Sequence, residues 1–182
     1  MKKIIFIDFA TTSLLLSSTQ AFALFSVSVG VPLNHSFGSD TETDSVSGTL
    51  IGVELPFALG LGMDSYKTKV KDSVLELETS VYNIFYQLPV PIVNLILGVG
   101  TGNHEFVCSD IGDGSSCSDY FEKGSITQWY TSIGMPIIPF FDIHLSYRSI
   151  TSKNVEVIKG TSKGSKSDLN STITGVGIAF NF

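Results

Sequence analysis

Apolar residues recur at every second position through most of this chain. The last stretch shows the pattern most plainly: Val176, Ile178, Phe180 and Phe182 alternate with Gly175, Gly177, Ala179 and Asn181. A period of two puts the two sets on opposite faces of a β-strand. Seven further segments carry the same alternation. The first spans about 24–37, with Phe25, Val27, Val29, Val31 and Leu33 on one face, and Pro32, which lacks a ladder donor, near its far end. The second, about 46–55, sets Thr49, Ile51, Val53 and Leu55 against Gly48, Leu50, Gly52 and Glu54. The third sets Phe57, Leu59, Leu61 and Met63 against Ala58, Gly60, Gly62 and Asp64. In the fourth, about 74–88, Leu75, Leu77, Thr79 and Val81 oppose Glu76, Glu78, Ser80 and Tyr82. Its phase blurs over 83–86, where a β-bulge is expected. The fifth pairs Val93, Leu95, Leu97 and Val99 with Asn94, Ile96, Gly98 and Gly100. The sixth, about 125–135, shows Trp129, Thr131, Ile133 and Met135 on one face, and the seventh sets Phe141, Ile143, Leu145 and Tyr147 against Asp142, His144, Ser146 and Arg148.

The connections alternate in length. Pro56, the step 89–91 and the stretch 136–139 read as tight turns, while 38–45, 67–73, 103–123 and 151–170 are polar loops. An even number of strands with this alternation predicts an all-β fold, an eight-stranded antiparallel up-and-down transmembrane β-barrel. Stripes of about nine to eleven residues suit tilted strands that cross a bilayer. Phe25, Phe57, Phe85, Phe141, Phe180 and Phe182 are expected in one aromatic belt, and Tyr66, Phe106, Trp129 and Tyr147 in the other. A soluble eight-stranded barrel or sandwich is the rival fold. It would show water the face expected to point inward, which is rich in Gly, Ser and Ala and suits a crowded lumen better.

Composition sharpens this picture. The 182 residues are 43% hydrophobic and only 15% charged, against about 25% charged for an ordinary soluble domain. No run approaches the roughly 20 apolar residues of a transmembrane helix. Lys2 and Lys3, an apolar stretch over 4–16 broken by Asp8, and the small-x-small site Ala21-Phe22-Ala23 predict a cleaved signal peptide over 1–23 and a barrel over 24–182. Export implies an oxidising compartment, so Cys108 and Cys117 are expected to form a loop disulfide, contributing about 2–3 kcal/mol. No metal site is expected. Two cysteines are half of a zinc set, and Asp110, Asp113 and Asp119 do not match a calcium loop. No phosphate loop or dinucleotide fingerprint is present, so no cofactor is expected.

Signal, strand count, alternating loops and terminal aromatic together resemble the small bacterial outer-membrane barrels of the opacity-protein and OmpA/OmpX type, over nearly the whole of 24–182. The resemblance implies an outer-membrane location, with both termini periplasmic and four loops extracellular. Val176, Ile178, Phe180 and Phe182 resemble the terminal signal read by the barrel-assembly machinery. No periplasmic peptidoglycan-binding domain is expected after Phe182.

The alternation places Glu54, Asp64, Glu76, Glu78, Asp142, His144 and Arg148 in the lumen. A narrow lumen forces such groups to pair. They form a salt-bridged plug or, alternatively, a gate in which Arg148 switches between Asp64 and Glu78, with cations favoured in any open pore. His144-Leu145-Ser146 with Glu156 resembles the His-x-Ser pair of outer-membrane lipid A deacylases, but Tyr147 stands where Asn usually follows, and the pair points inward. The chain is therefore read as non-enzymatic. The loops separate by charge: Asp40, Glu42, Asp44 and Glu105, Asp110, Asp113, Asp119, Glu122 are acidic, while Lys67, Lys69, Lys71 and Lys153, Lys159, Lys163, Lys166 are basic. They neutralise one another, or the basic pair grips lipopolysaccharide phosphates or a host surface ligand. No nucleic-acid partner is expected at a net charge of -6. The expected role is structural or surface-interactive.

Overall fold

A computed structural model of the chain describes residues 25–38, 42–73, 75–88, 90, 92–108, 121–138, 140–152, 155–156, 166–167 and 169–182. The expected signal segment, Asp40, Cys117, Asp110, Asp113, Asp119, Lys153, Lys159 and Lys163 lie outside these residues. Eight long strands are present: β1 Ser26–Phe37, β2 Thr43–Glu54, β3 Leu59–Val70, β4 Leu75–Leu88, β5 Asn94–Cys108, β6 Gly124–Ile138, β7 Phe141–Ser152 and β10 Ser171–Asn181. Between β7 and β10, β8 Val155–Glu156 and β9 Lys166–Ser167 form a two-residue ribbon. The long strands close a barrel in the order β1-β10-β7-β6-β5-β4-β3-β2, with every neighbour antiparallel. At the seam Phe25 and Phe182 exchange backbone hydrogen bonds, 3.3 Å and 2.8 Å long.

The outward stripes match the alternation in seven strands. Val29, Val31, Ile51, Leu61, Leu97, Ile133, Leu145 and Ile178 are all exposed on the outer wall. Strand β4 departs from expectation. Leu77, Thr79, Val81, Asn83 and Phe85 point inward without a break in register, while Tyr82, Ile84 and Tyr86 are exposed outside. The bulge expected over 83–86 is absent, and Glu76 and Glu78 stand on the outer wall instead of in the lumen. Glu78 meets Lys67 there at 3.4 Å.

The reason is a change of surroundings along the strands. Near the end that holds Phe25 and Phe182, outward residues are apolar, and most charged or amide inward residues gather there, beside Phe85 and Ile96. Further along the faces exchange character: Ser47, Lys67, Glu78 and Thr127 lie outside, and Tyr66, Val81, Ile126, Ile150 and Ile173 inside. In β4 the period of two is unbroken, but the chemistry on each face is swapped. The strands therefore outrun their apolar stripes, and β3 and β5 continue to Val70 and Cys108, into stretches expected as loops.

Among the described residues three irregularities interrupt the ladder, one in β2 between Thr43 and Ser45 and two beside prolines. β1 shifts register between Pro32 and Asn34, and β6 between Pro136 and Ile138, as expected where a residue has no N–H to donate. The shift in β1 turns His35 inward. Two aromatics leave their expected belts: Phe85 and Tyr66 are buried in the lumen. Phe106 packs against Leu77 and Leu169 at the loop end. Trp129 and Tyr147 hold their places outside, ring centroids 5.9 Å apart.

Candidate functional site

The lumen is filled in layers, each built by inward positions of facing strands. Nearest the termini lies a carboxylate layer. Asp142 of β7 accepts hydrogen bonds from the Asn181 amide at 2.9 Å and from the Asn94 amide. Gln87 donates to Asn94 Oδ1 at 3.2 Å. His144 Nε2 stands 3.9 Å from Asp142 Oδ2, and the buried Glu54 faces the same small space.

The next layer bridges the barrel. Arg148 on β7 grips Asp64 on β3 with two donors, Nε at 2.9 Å and Nη2 at 3.2 Å. This fork matches the two carboxylate oxygens. Asn83 and Gln128 donate to the same carboxylate at 2.9 Å and 2.7 Å, and Gln128 also donates to Asn83 Oδ1 at 2.9 Å. Arg148 Nη1 donates to Ser146 Oγ at 2.5 Å, and the guanidinium lies over the Tyr130 ring, 4.8 Å from its centroid. The node thus ties β3, β4, β6 and β7 together. A cavity of about 50 Å³ borders it on the side of the termini, room for a few water molecules.

Beyond the node comes an apolar layer of Leu50, Tyr66, Val81, Ile126, Ile150 and Ile173. Two histidine contacts follow: His35 Nδ1 to Thr68 Oγ1 at 2.6 Å, and His104 Nε2 to Ser152 Oγ at 3.0 Å. At the loop end Leu77 and Leu169 pack with Phe37, Phe106 and Phe121.

Glycines make these layers possible. A Cβ on Gly60 would lie 2.0 Å from the Phe85 ring, on Gly98 2.1 Å from the Tyr130 ring, and on Gly134 2.5 Å from the His144 ring. Small inner residues are thus the holes into which large neighbours fit. Such pairing is the signal that a reading of each strand alone misses, and it would have found Tyr130. Asn83 was hidden by the inverted phase of β4, and His35 by the register shift at Pro32. Gln128 sits on the inner face of β6, in phase with Ser132, and was legible in principle.

Of the expected lumen set, Asp64 and Arg148 meet in one node, and Glu54, Asp142 and His144 share the layer beneath it. With Glu76 and Glu78 outside, the expected exchange of Arg148 between Asp64 and Glu78 has no inner partner in Glu78. His144 and Ser146 bond elsewhere. Ser146 Oγ donates to the Gly175 carbonyl at 3.3 Å, and His144 Nδ1 lies 3.5 Å from Ser132 Oγ. The loop charges partly cancel: besides Lys67 with Glu78, Lys71 pairs with Glu42, and Lys123 with Glu105 at 2.7 Å. Lys69 stands opposite Glu76 in register, and Glu156 opposite Lys166. Cys108 ends β5.

No protein-family model and no curated protein matches this chain. Solved structures do. The Neisserial surface protein A (NspA) superposes with a TM-score of 0.64 at 13% identity, over 87% of this chain and 96% of that one. The E. coli outer membrane protein W gives 0.53 at 9% identity, over 90% and 100%. The N-terminal β-barrel domain of Pseudomonas aeruginosa OprF gives 0.50 at 13% identity, over 86% and 97%. Identities this low speak for architecture alone, and they speak clearly: the chain has the fold of the small eight-stranded barrels to which NspA and outer membrane protein W belong.

Proposed function

We propose that this chain is an integral outer-membrane barrel with a structural or surface-interaction role, and that its lumen does not conduct. One observation carries the reading. The Arg148–Asp64 node spans the lumen directly beneath a layer of buried apolar side chains, while the opposite faces of the same strands are apolar and exposed. A soluble barrel has no use for such an outer wall. An inward-filled, outward-apolar barrel is what lipid requires.

In this reading the three short turns and both termini face the periplasm and the long connections face outward. Residues 1–23 are the export signal, and Cys108 and Cys117 close the outer connection between β5 and β6. Val176, Ile178, Phe180 and Phe182 guide assembly. Lipopolysaccharide is the nearest partner, met by the outer wall around Lys67 and Lys69, with a host or surface ligand held by the long connections. The separate bonding of His144 and Ser146 supports a non-enzymatic role.

The test is single-channel recording on refolded residues 24–182 in a planar bilayer. Steady silence is the expected result. Discrete cation-selective openings that change in Arg148→Ala would replace this reading with a gated pore, for which the cavity beside the node would be the vestibule.

A further inference from the structure

We infer that the three short turns are not solvated connections but lipid-immersed anchors, so that the whole base of the barrel lies within the membrane. The inference rests on the membrane reading above and adds where the lower boundary falls. The segments 55–59, 88–93 and 136–141 contain no charged residue and no hydroxyl. Turn chemistry normally calls for Gly, Asn, Asp or Ser. Here Phe57, Ile92 and Phe140 take left-handed backbone conformations, with φ of 74°, 78° and 75°. Bulky and β-branched residues are genuine outliers at such angles, which Gly or Asn adopts without a clash. Each is nonetheless well exposed, at 90%, 77% and 71%. A costly conformation that displays a large apolar side chain is explained if the side chain has an apolar medium to enter.

Height points the same way. The outward apolar residues of β3 are only Leu59, Leu61 and Met63 before Ser65 and Lys67. At about 3.3 Å per residue and a tilt near 40°, the run from Leu59 to Met63 rises only about 10 Å. The apolar band of such barrels stands about 25 Å tall. Even counted from Lys67 down to Leu59, the first residue of β3, about eight steps on the same geometry give about 20 Å, short of the band by about the height of a turn. The turn is needed to complete the span. Phe25, Phe182, Ile137 and Ile138 are exposed at the same end and continue the apolar wall without interruption. The occupant of this surface is therefore the lipid that already covers the wall, in its interfacial and upper acyl region.

The chain holds one tryptophan, Trp129. In a Trp129→Phe background, Phe57→Trp, Ile92→Trp and Phe140→Trp each place a depth probe at a turn. The proteins are refolded into phosphatidylcholine vesicles brominated along the acyl chain, and quenching by bromine is compared with quenching by aqueous iodide. Bromine quenching with protection from iodide is expected at all three turns. Iodide quenching without bromine quenching overturns the inference, and protection from both, which would indicate a second protein copy or another partner, also overturns it. The native protein supplies the control: Trp129 quenched by bromine while the turn probes are not defeats only the inference, whereas failure at Trp129 defeats the membrane reading as well. Should a probe variant not fold, Phe57→Ser with Ile92→Ser and Phe140→Ser gives an independent readout. Its preferred lipid for refolding should move to shorter acyl chains than the parent's, and an unchanged preference overturns the inference.

Discussion

Two of the basic–acidic pairs among the described residues could hardly differ more in what they do. Lys67 and Glu78 meet on the outer wall with side chains 52% and 35% exposed. Arg148 and Asp64 meet in the lumen at 7% and 2%. The outer pair is one contact in high dielectric and is screened by salt. The inner pair is forked, and two amides complete the carboxylate's shell. Desolvation makes such a pair costly to assemble and costlier to halve. The comparison teaches that charge in this molecule stabilises only where the strands around it leave no water to replace the partner.

The largest expected effect comes from halving the inner pair. Arg148→Ala leaves Asp64 buried with only amide donors, and should destabilise the folded barrel by about 3–5 kcal/mol in urea titrations from lipid vesicles. A loss below about 0.5 kcal/mol would remove the node from the list of stabilising features. Replacing both partners, Arg148→Met with Asp64→Leu, should recover most of that loss, because an apolar pair needs no desolvation.

A smaller effect is expected one layer further along. Ile126 is buried among Leu50, Tyr66, Val81, Ile150 and Ile173. Ile126→Ala should cost about 2–4 kcal/mol, through lost transfer energy and a residual cavity, read from the same titration. If it costs as much as Arg148→Ala, the lumen is held chiefly by its apolar layer and the contrast between the two ion pairs matters less. Lys67→Ala should change stability by less than roughly 1 kcal/mol, and by less still at high salt. A salt-independent loss of 2 kcal/mol would show the outer pair to be shielded from water and would erase the comparison.

Much of this was legible in the chain. Strand number, the three short turns and the inward set of β7 follow from a period of two and from proline. The error in β4 is instructive because the period there is perfect. A rule that equates apolar with lipid-facing puts Leu77 and Val81 on the outer wall. Beyond the apolar band the outer wall carries charge and the lumen becomes the dry core, so Leu77 turns in and Glu78 turns out. The apparent blur over 83–86 marks that exchange, where Tyr82 and Ile84 face out and Asn83 faces in. Alternation gives the faces; it cannot say which medium each face meets at each height. The node was half visible for a similar reason. Asp64 and Arg148 are rare charges on otherwise small or polar inner stripes, whereas Gln128 and Asn83 become partners only when four strands are brought into register.

The seam between β1 and β10 has a consequence for how the chain is wired. Because Phe25 and Phe182 hydrogen-bond to each other, the first and last described residues are neighbours, and a short linker could join them. The molecule is in effect a hoop that happens to be cut at one place. A cut in any of its other connections, with the original ends joined, would leave every rung of the ladder intact. Because β1 pairs with β10 across that seam, the first long strand must wait for the last before the ladder can close.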